Sequence, residues 1–152
     1  MESFDEINLN KHLRIGIDEL GFEKPTPIQE QAYPVILSGK NVVGIAQTGT
    51  GKTLAYMLPI LQQWKFTKQL NPSVLIMVPT RELVLQVVEQ IELFALYLSV
   101  RVVGVYGGTN INTQAAKLAD GVDILVATPG RLYDLAVSRA ASLKGIKKLV
   151  ID

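Results

Sequence analysis

The segment with the clearest chemistry is Ala46-Gln47-Thr48-Gly49-Thr50-Gly51-Lys52-Thr53. A phosphate group needs several backbone N–H groups turned toward it, and Gly49 and Gly51 permit the tight, side-chain-free backbone that forms such a nest. A helix opening at Lys52 would add the positive end of its dipole. Lys52 can reach terminal phosphates as a point charge, and the adjacent Thr53 hydroxyl is placed to ligate the magnesium that accompanies a triphosphate. Loops of this kind open on glycine, so Ala46 is a substitution at the entry. A functionless glycine-rich turn is the plain alternative, and the coincidence of lysine, threonine and strand-to-helix context argues against it. The residues therefore point to a nucleoside triphosphate site.

Those residues need a scaffold, and the chain alternates short β-branched runs with longer helical patterns. Strands are expected at 41–45, 74–78, 101–106, 124–127 and 148–152, and helices at about 10–20, 27–37, 52–64, 81–98, 111–119 and 131–138. The strand runs are apolar almost throughout, as in a parallel sheet with helices on both faces. Thr80 is a plausible N-cap for the helix beginning at Arg81, and Pro129 follows Thr128 where a missing N–H costs nothing. Gly21 and Gly39 stand where helices end. The expectation is an open α/β fold in one domain.

Composition narrows the class further. With 152 residues, 48% of them hydrophobic, the chain can bury a sizeable core, and a formal net charge of +1 gives no global attraction for a polyanion. Any nucleic acid must then be held by locally placed groups. There is no cysteine, which excludes disulfides, thiolate metal sites and a cysteine nucleophile. No apolar run approaches the roughly 20 residues of a membrane span, and the acidic start is unlike a secretory signal, so a soluble, cytoplasmic protein is expected.

Three more segments accompany the loop: Gly21-Phe22-Glu23-Lys24-Pro25-Thr26-Pro27-Ile28-Gln29 before it, Pro79-Thr80-Arg81-Glu82-Leu83 after it, and Thr128-Pro129-Gly130-Arg131 later, with Gly107-Gly108 between the last two. In this order, along essentially the whole chain, they resemble the DEAD-box RNA helicases. The resemblance implies the first RecA-like domain of such an enzyme, spanning 1–152, with an adenine-reading segment at about 4–30. A glutamine amide offers an acceptor and donors that match the amino group and ring nitrogen of adenine, so Gln29 is expected to select ATP over GTP. The resemblance places Phe22 on the adenine face, Lys24 at the pocket's edge and Phe4 as a support for the segment.

The same resemblance gives Thr80, Arg81, Gly108, Thr128, Gly130 and Arg131 to the sugar-phosphate backbone of single-stranded or short duplex RNA, contacts that position a strand without reading it. It matches Asp152 to the first aspartate of the Asp-Glu-Ala-Asp motif, a ligand of magnesium through water, which makes Lys52, Thr53 and Asp152 the catalytic set within this chain. The following glutamate, the Ser-Ala-Thr strand and the second RecA-like domain with its arginines are not in the sequence. The sheet should then be incomplete at its C-terminal end, with a vacant slot between the strand at 41–45 and the strand at 148–152.

Hydrolysis by the chain alone is expected to be negligible. An ATP-gated RNA clamp or assembly scaffold, with protein cofactors supplying specificity, would carry the same motifs. Arg101, Lys117, Arg139, Lys144, Lys147 and Lys148 read as a solvated face, Asp120 and Asp123 as loop acids, and His12, Tyr56, Met57 and Trp64 as surface or packing residues.

Overall fold

Four of the five expected strand runs pair into one parallel sheet: β1 (Val74–Met77), β2 (Val102–Val105), β3 (Ile124–Ala127) and β4 (Lys148–Ile151), in the order β2-β3-β1-β4. The structure, a computed structural model, describes residues 2–47 and 49–152, so Thr48 of the phosphate loop lies outside the described residues. Register is uniform: Val74 lies opposite Ile124 and Lys148, and Met77 opposite Ala127 and Ile151. The chain divides into two compact units, one running up to Lys65 and including Ile91–Leu98, the other formed by Phe66–Gln90 and Ser99–Asp152.

The sheet belongs to the second unit. On one face Leu75, Val105, Leu125 and Ala127 form a buried cluster with Leu118 of α5 (Ile111–Ala119) and Leu132 and Leu135 of α6 (Pro129–Val137). The opposite face meets α4 (Arg81–Phe94): a Cβ on Gly104 would stand 2.8 Å from Val84 Cγ1 and 2.9 Å from Val88 Cγ2. Any side chain at 104 would push α4 off the sheet, so the glycine here serves close packing. Helices on both faces and continuous apolar strands agree with the expected fold class.

Below the sheet, Asp123 is 3% exposed and holds Arg101 through both carboxylate oxygens, at 2.7 Å to the Arg101 backbone N–H, 3.1 Å to Nε and 2.9 Å to Nη2. The remaining guanidinium reach goes to the Gln69 carbonyl. Asp123 holds the Arg101 charge and raises its pKa further. The reading of Arg101 as a solvated cation and Asp123 as an idle loop acid is thus corrected. The partners lie 22 residues apart, a spacing that carries no sequence signal.

The first unit is helical. A 3-10 turn at Phe4–Glu6 precedes α1 (Lys11–Glu19), α2 (Pro27–Leu37) and α3 (Lys52–Gln63), with α2 packed against α3. Asn10 caps α1 by accepting from the Leu13 N–H at 2.9 Å. The cap signals at Thr80 and Pro129 in the other unit hold too, Thr80 Oγ1 accepting from the Leu83 N–H at 3.2 Å.

The strand expected at 41–45 does not form. Residues 41–47 carry no regular structure, and Val43 and Ile45 are 92% and 93% exposed. A strand exists only through a partner, and no strand pairs with this run among the described residues. The sheet is not closed: among the described residues β4 pairs with β1 alone.

Candidate functional site

The phosphate loop is shaped by two left-handed glycines, Gly49 at φ +81° and Gly51 at φ +77°, with Gly51 serving as the N-cap of α3. The first intrahelical bond of α3 is Ala55 N–H to the Gly51 carbonyl at 3.0 Å, so the N–H groups of Lys52, Thr53 and Leu54 lie ahead of the helical ladder, as an anion site requires. Gln47 and Thr50 fold the loop on itself through a bond from the Thr50 hydroxyl to the Gln47 carbonyl. Ala46 leads into it from the unpaired run.

Gln29 joins this loop to the segment before it. Its side chain, 5% exposed, accepts at Oε1 from the Thr26 N–H at 3.0 Å and donates from Nε2 to the Gly51 carbonyl at 3.1 Å. An amide has two lone pairs and two N–H groups, so one acceptor and one donor remain, the pair that an adenine edge would need. Gly51 is favoured by its left-handed φ, and a Cβ there would fall 2.3 Å from Gln29 Nε2 and displace that amide from its bond. Thr26 and Gln29 form a capping box at the start of α2, and Thr26 Oγ1 lies 3.5 Å from the same Cβ position. The left-handed turn and the N–H groups ahead of the α3 ladder fit a bound phosphate chain.

Around it, Phe4 is buried and its N–H donates to the Glu23 carbonyl at 3.1 Å, which ties the start of the chain to the segment 21–29. Phe22 is 40% exposed and meets the Phe94 ring obliquely, at 6.2 Å between centroids. Lys24 is exposed, 3.8 Å from a Glu2 carboxylate oxygen.

The second unit carries another group of the expected residues. Arg81, at the start of α4, lies over the Tyr106 ring, its guanidinium carbon 5.0 Å from the centroid. Arg131, in the first turn of α6 after the cap residue Thr128, donates from Nη1 to Gln114 Oε1 at 3.0 Å and from Nη2 to the Thr109 carbonyl at 3.1 Å. Gly108 has φ +81°, and a Cβ on Gly107, Gly108 or Gly130 would meet nothing within 4 Å. Asp152 follows β4, its N–H on the Met77 carbonyl at 2.9 Å. Lys52 and Thr53 thus fall in the first unit and Asp152 in the second. Among the described residues, no group of three or more His, Cys, Asp or Glu side chains forms a metal cluster.

A glutamine joined to a phosphate loop, and two arginines beside open glycine turns, are features that known proteins can be compared on. The model of the DEAD/DEAH box helicase family matches residues 26–152. The chain belongs to that family. Over its whole length this DEAD-box chain is 45% identical to the pre-mRNA-processing ATP-dependent RNA helicase prp-5 of Neurospora crassa, of which it covers 13%. It is 48% identical over 90% of its length to the probable ATP-dependent RNA helicase DDX43 of Homo sapiens, covering 22% of that protein. It is also 44% identical to the DEAD-box ATP-dependent RNA helicase CshA of Streptococcus pneumoniae, covering 28%.

A solved structure, a hypothetical ATP-dependent RNA helicase from Sulfolobus tokodaii, matches 95% of the chain with a TM-score of 0.85 and 39% identity, over 41% of that structure's length. The DEAD-box chain therefore spans well under half the length of these relatives. Among its described residues no helix is long and apolar enough to cross a membrane.

One site residue was missed from sequence. Gln114, buried on α5, bridges Arg131 to the glycine turn. Its only sequence signal is a polar residue among the apolar positions of an amphipathic helix, which by itself suggests nothing more than a surface side chain.

Proposed function

We propose that the chain is the ATP-binding half of an ATP-dependent RNA helicase that remodels or locally unwinds short RNA duplexes. By itself the chain binds nucleotide weakly and does not hydrolyse it. The observation that carries the reading is the bond from Gln29 Nε2 to the Gly51 carbonyl, 3.1 Å long, which makes a base-reading amide and a phosphate-cradling turn parts of one hydrogen-bonded piece. A phosphate loop in a generic triphosphatase has no need of such an amide, whereas a site that must choose adenine does.

In this reading Gln29 uses its remaining donor and acceptor on the adenine edge, Phe22 offers its exposed ring face to the base, and Lys24 lines the pocket's edge. The free N–H groups at the start of α3 and Lys52 hold the phosphates. Thr53 directly, and Asp152 through water, would hold magnesium, which when bound neutralises charge that develops on the phosphate oxygens. Thr80, Arg81, Gly108, Thr128, Gly130 and Arg131 grip the RNA backbone, and a second RecA-like domain supplies the arginines for bond breaking. Proteins outside the chain supply RNA specificity.

The test is RNA-stimulated ATP turnover by the full-length protein. Lys52→Ala is expected to reduce it by about 10²-fold or more, in line with removal of a single preorganised charge donor. Wild-type turnover in that variant would refute the assignment of the loop. Strand release that follows hydrolysis supports a helicase; RNA still held after many turnovers would favour a clamp.

A further inference from the structure

Two of the three segments proposed to grip RNA meet at one buried amide, and the third lies over the ring of a residue that this amide holds. Gln114 is 6% exposed and uses its full hydrogen-bonding capacity. Oε1 accepts from the Tyr106 N–H at 3.3 Å and from Arg131 Nη1 at 3.0 Å, while Nε2 donates to the Tyr106 carbonyl at 3.0 Å and to Thr109 Oγ1 at 2.9 Å. Tyr106 and Thr109 are the two ends of the turn that holds Gly107 and Gly108, so Gln114 fixes both ends of that turn. Arg131 closes the same turn from outside through the Thr109 carbonyl. The Tyr106 ring in turn lies under the Arg81 guanidinium.

We infer that Gln114 is the positioning residue of the RNA-backbone site: one side chain that touches no RNA sets the places of Arg81, Gly108 and Arg131 together. The inference rests on the RNA-binding reading proposed above. Two observations favour it over a purely structural role for the amide. The turn it braces faces open space, since Cβ atoms at Gly107 and Gly108 would meet nothing within 4 Å, so the bracing secures a surface rather than a packed core. Its acceptor also goes to Arg131, a side chain whose Nε is buried without a partner and whose orientation depends on the Gln114 and Thr109 bonds. A long, rotamer-rich cation held before the ligand arrives loses less freedom on binding than one that must be ordered then.

The experiment measures RNA-stimulated ATP turnover of the full-length protein against the concentration of a single-stranded uridine oligonucleotide. Gln114→Met keeps the length and shape of the side chain but none of its bonds. The half-maximal RNA concentration is expected to rise by about 10- to 100-fold, the loss expected for several buried hydrogen bonds, while the rate at saturating RNA stays close to wild type. Gln114→Glu keeps the two acceptor bonds, including the one to Arg131, but sets a carboxylate oxygen against the Tyr106 carbonyl, and should recover part of the loss. If Gln114→Met does not fold, Thr109→Val takes its place: it removes one of the four bonds from the far side and should raise the same concentration about threefold with the saturated rate retained.

A folded Gln114→Met or Thr109→Val protein with unchanged RNA dependence overturns the inference and leaves the RNA-binding reading standing. A fall in the saturated rate without a change in the half-maximal RNA concentration also overturns it. A wild-type protein that neither binds the oligonucleotide nor responds to it overturns both.

Discussion

At the scale of single residues, Gly51 is asked to do two things, and substitutions can separate them. Gly51→Ala imposes a side chain on a left-handed backbone, a penalty of about 1–2 kcal/mol, and places its Cβ 2.3 Å from Gln29 Nε2, so Gln29 must leave its bond. Affinity for ATP should fall by at least about tenfold, and preference for ATP over GTP should fall with it. Gly49→Ala carries the same backbone penalty at φ +81° but meets nothing within 4 Å, so it should weaken ATP and GTP alike and leave their ratio intact. Titrations of both nucleotides against both variants check this, and equal selectivity in the two would detach Gln29 from the loop. Asp123 poses a question of stability rather than of ligand. Asp123→Ala leaves Arg101 without its carboxylate in a half-buried site and should lower unfolding stability by about 3 kcal/mol, whereas exposed Asp120→Ala should change it by less than about 0.5 kcal/mol. Chemical denaturation of the two variants measures the difference.

At the scale of elements, the sequence spoke clearly wherever a signal was local and poorly wherever it needed a partner. The helices at Pro27–Leu37 and Ile111–Ala119 and the strand at Ile124–Ala127 fall where their periodicity and end signals put them, because a cap or an apolar run is a property of neighbouring residues. The candidate nucleotide segment was legible for the same reason: Thr26, Gln29 and Gly51, which the fold joins by hydrogen bonds, sit in motifs short enough to recognise. The Arg101–Asp123 pair and the Gln114 network join residues 5 to 22 positions apart through the tertiary fold, so no pattern announces them. The run 41–45 shows the reverse case. Its Val-Val-Gly-Ile composition has strand propensity, yet propensity without a neighbouring strand leaves Val43 and Ile45 in solvent. In this chain, amide hydrogens of residues 42–45 should therefore exchange within about tenfold of unstructured rates, while those of Leu125 and Val126 in the centre of the sheet are slowed by about 10³-fold or more. Protection of the 42–45 amides comparable to that of 125–126 would mean that the run finds a strand partner in solution.

At the scale of the molecule, the edge of the sheet decides how the chain behaves. β4 pairs with β1 alone among the described residues, and its alternate side chains Leu149 and Ile151 are 57% and 78% exposed. An edge of unpaired backbone groups flanked by apolar side chains is a template for pairing with another chain, and natural edges are ordinarily blunted by charge, proline or a covering element. Lys148 is the only charged residue within β4, at the strand's start, and a net charge of +1 on 152 residues supplies almost no repulsion between copies. The chain should accordingly self-associate as its concentration approaches about 10⁻⁴ M, the range in which exposed strand edges drive association. Ile151→Lys puts a charge on the most exposed apolar position of that strand and should shift the chain toward monomer without altering the buried β1–β3 pairing. Sedimentation velocity across a concentration series distinguishes the outcomes. A wild-type chain that stays monomeric throughout would mean that the β4 edge is shielded in solution, and an Ile151→Lys chain that associates as before would place the contact elsewhere.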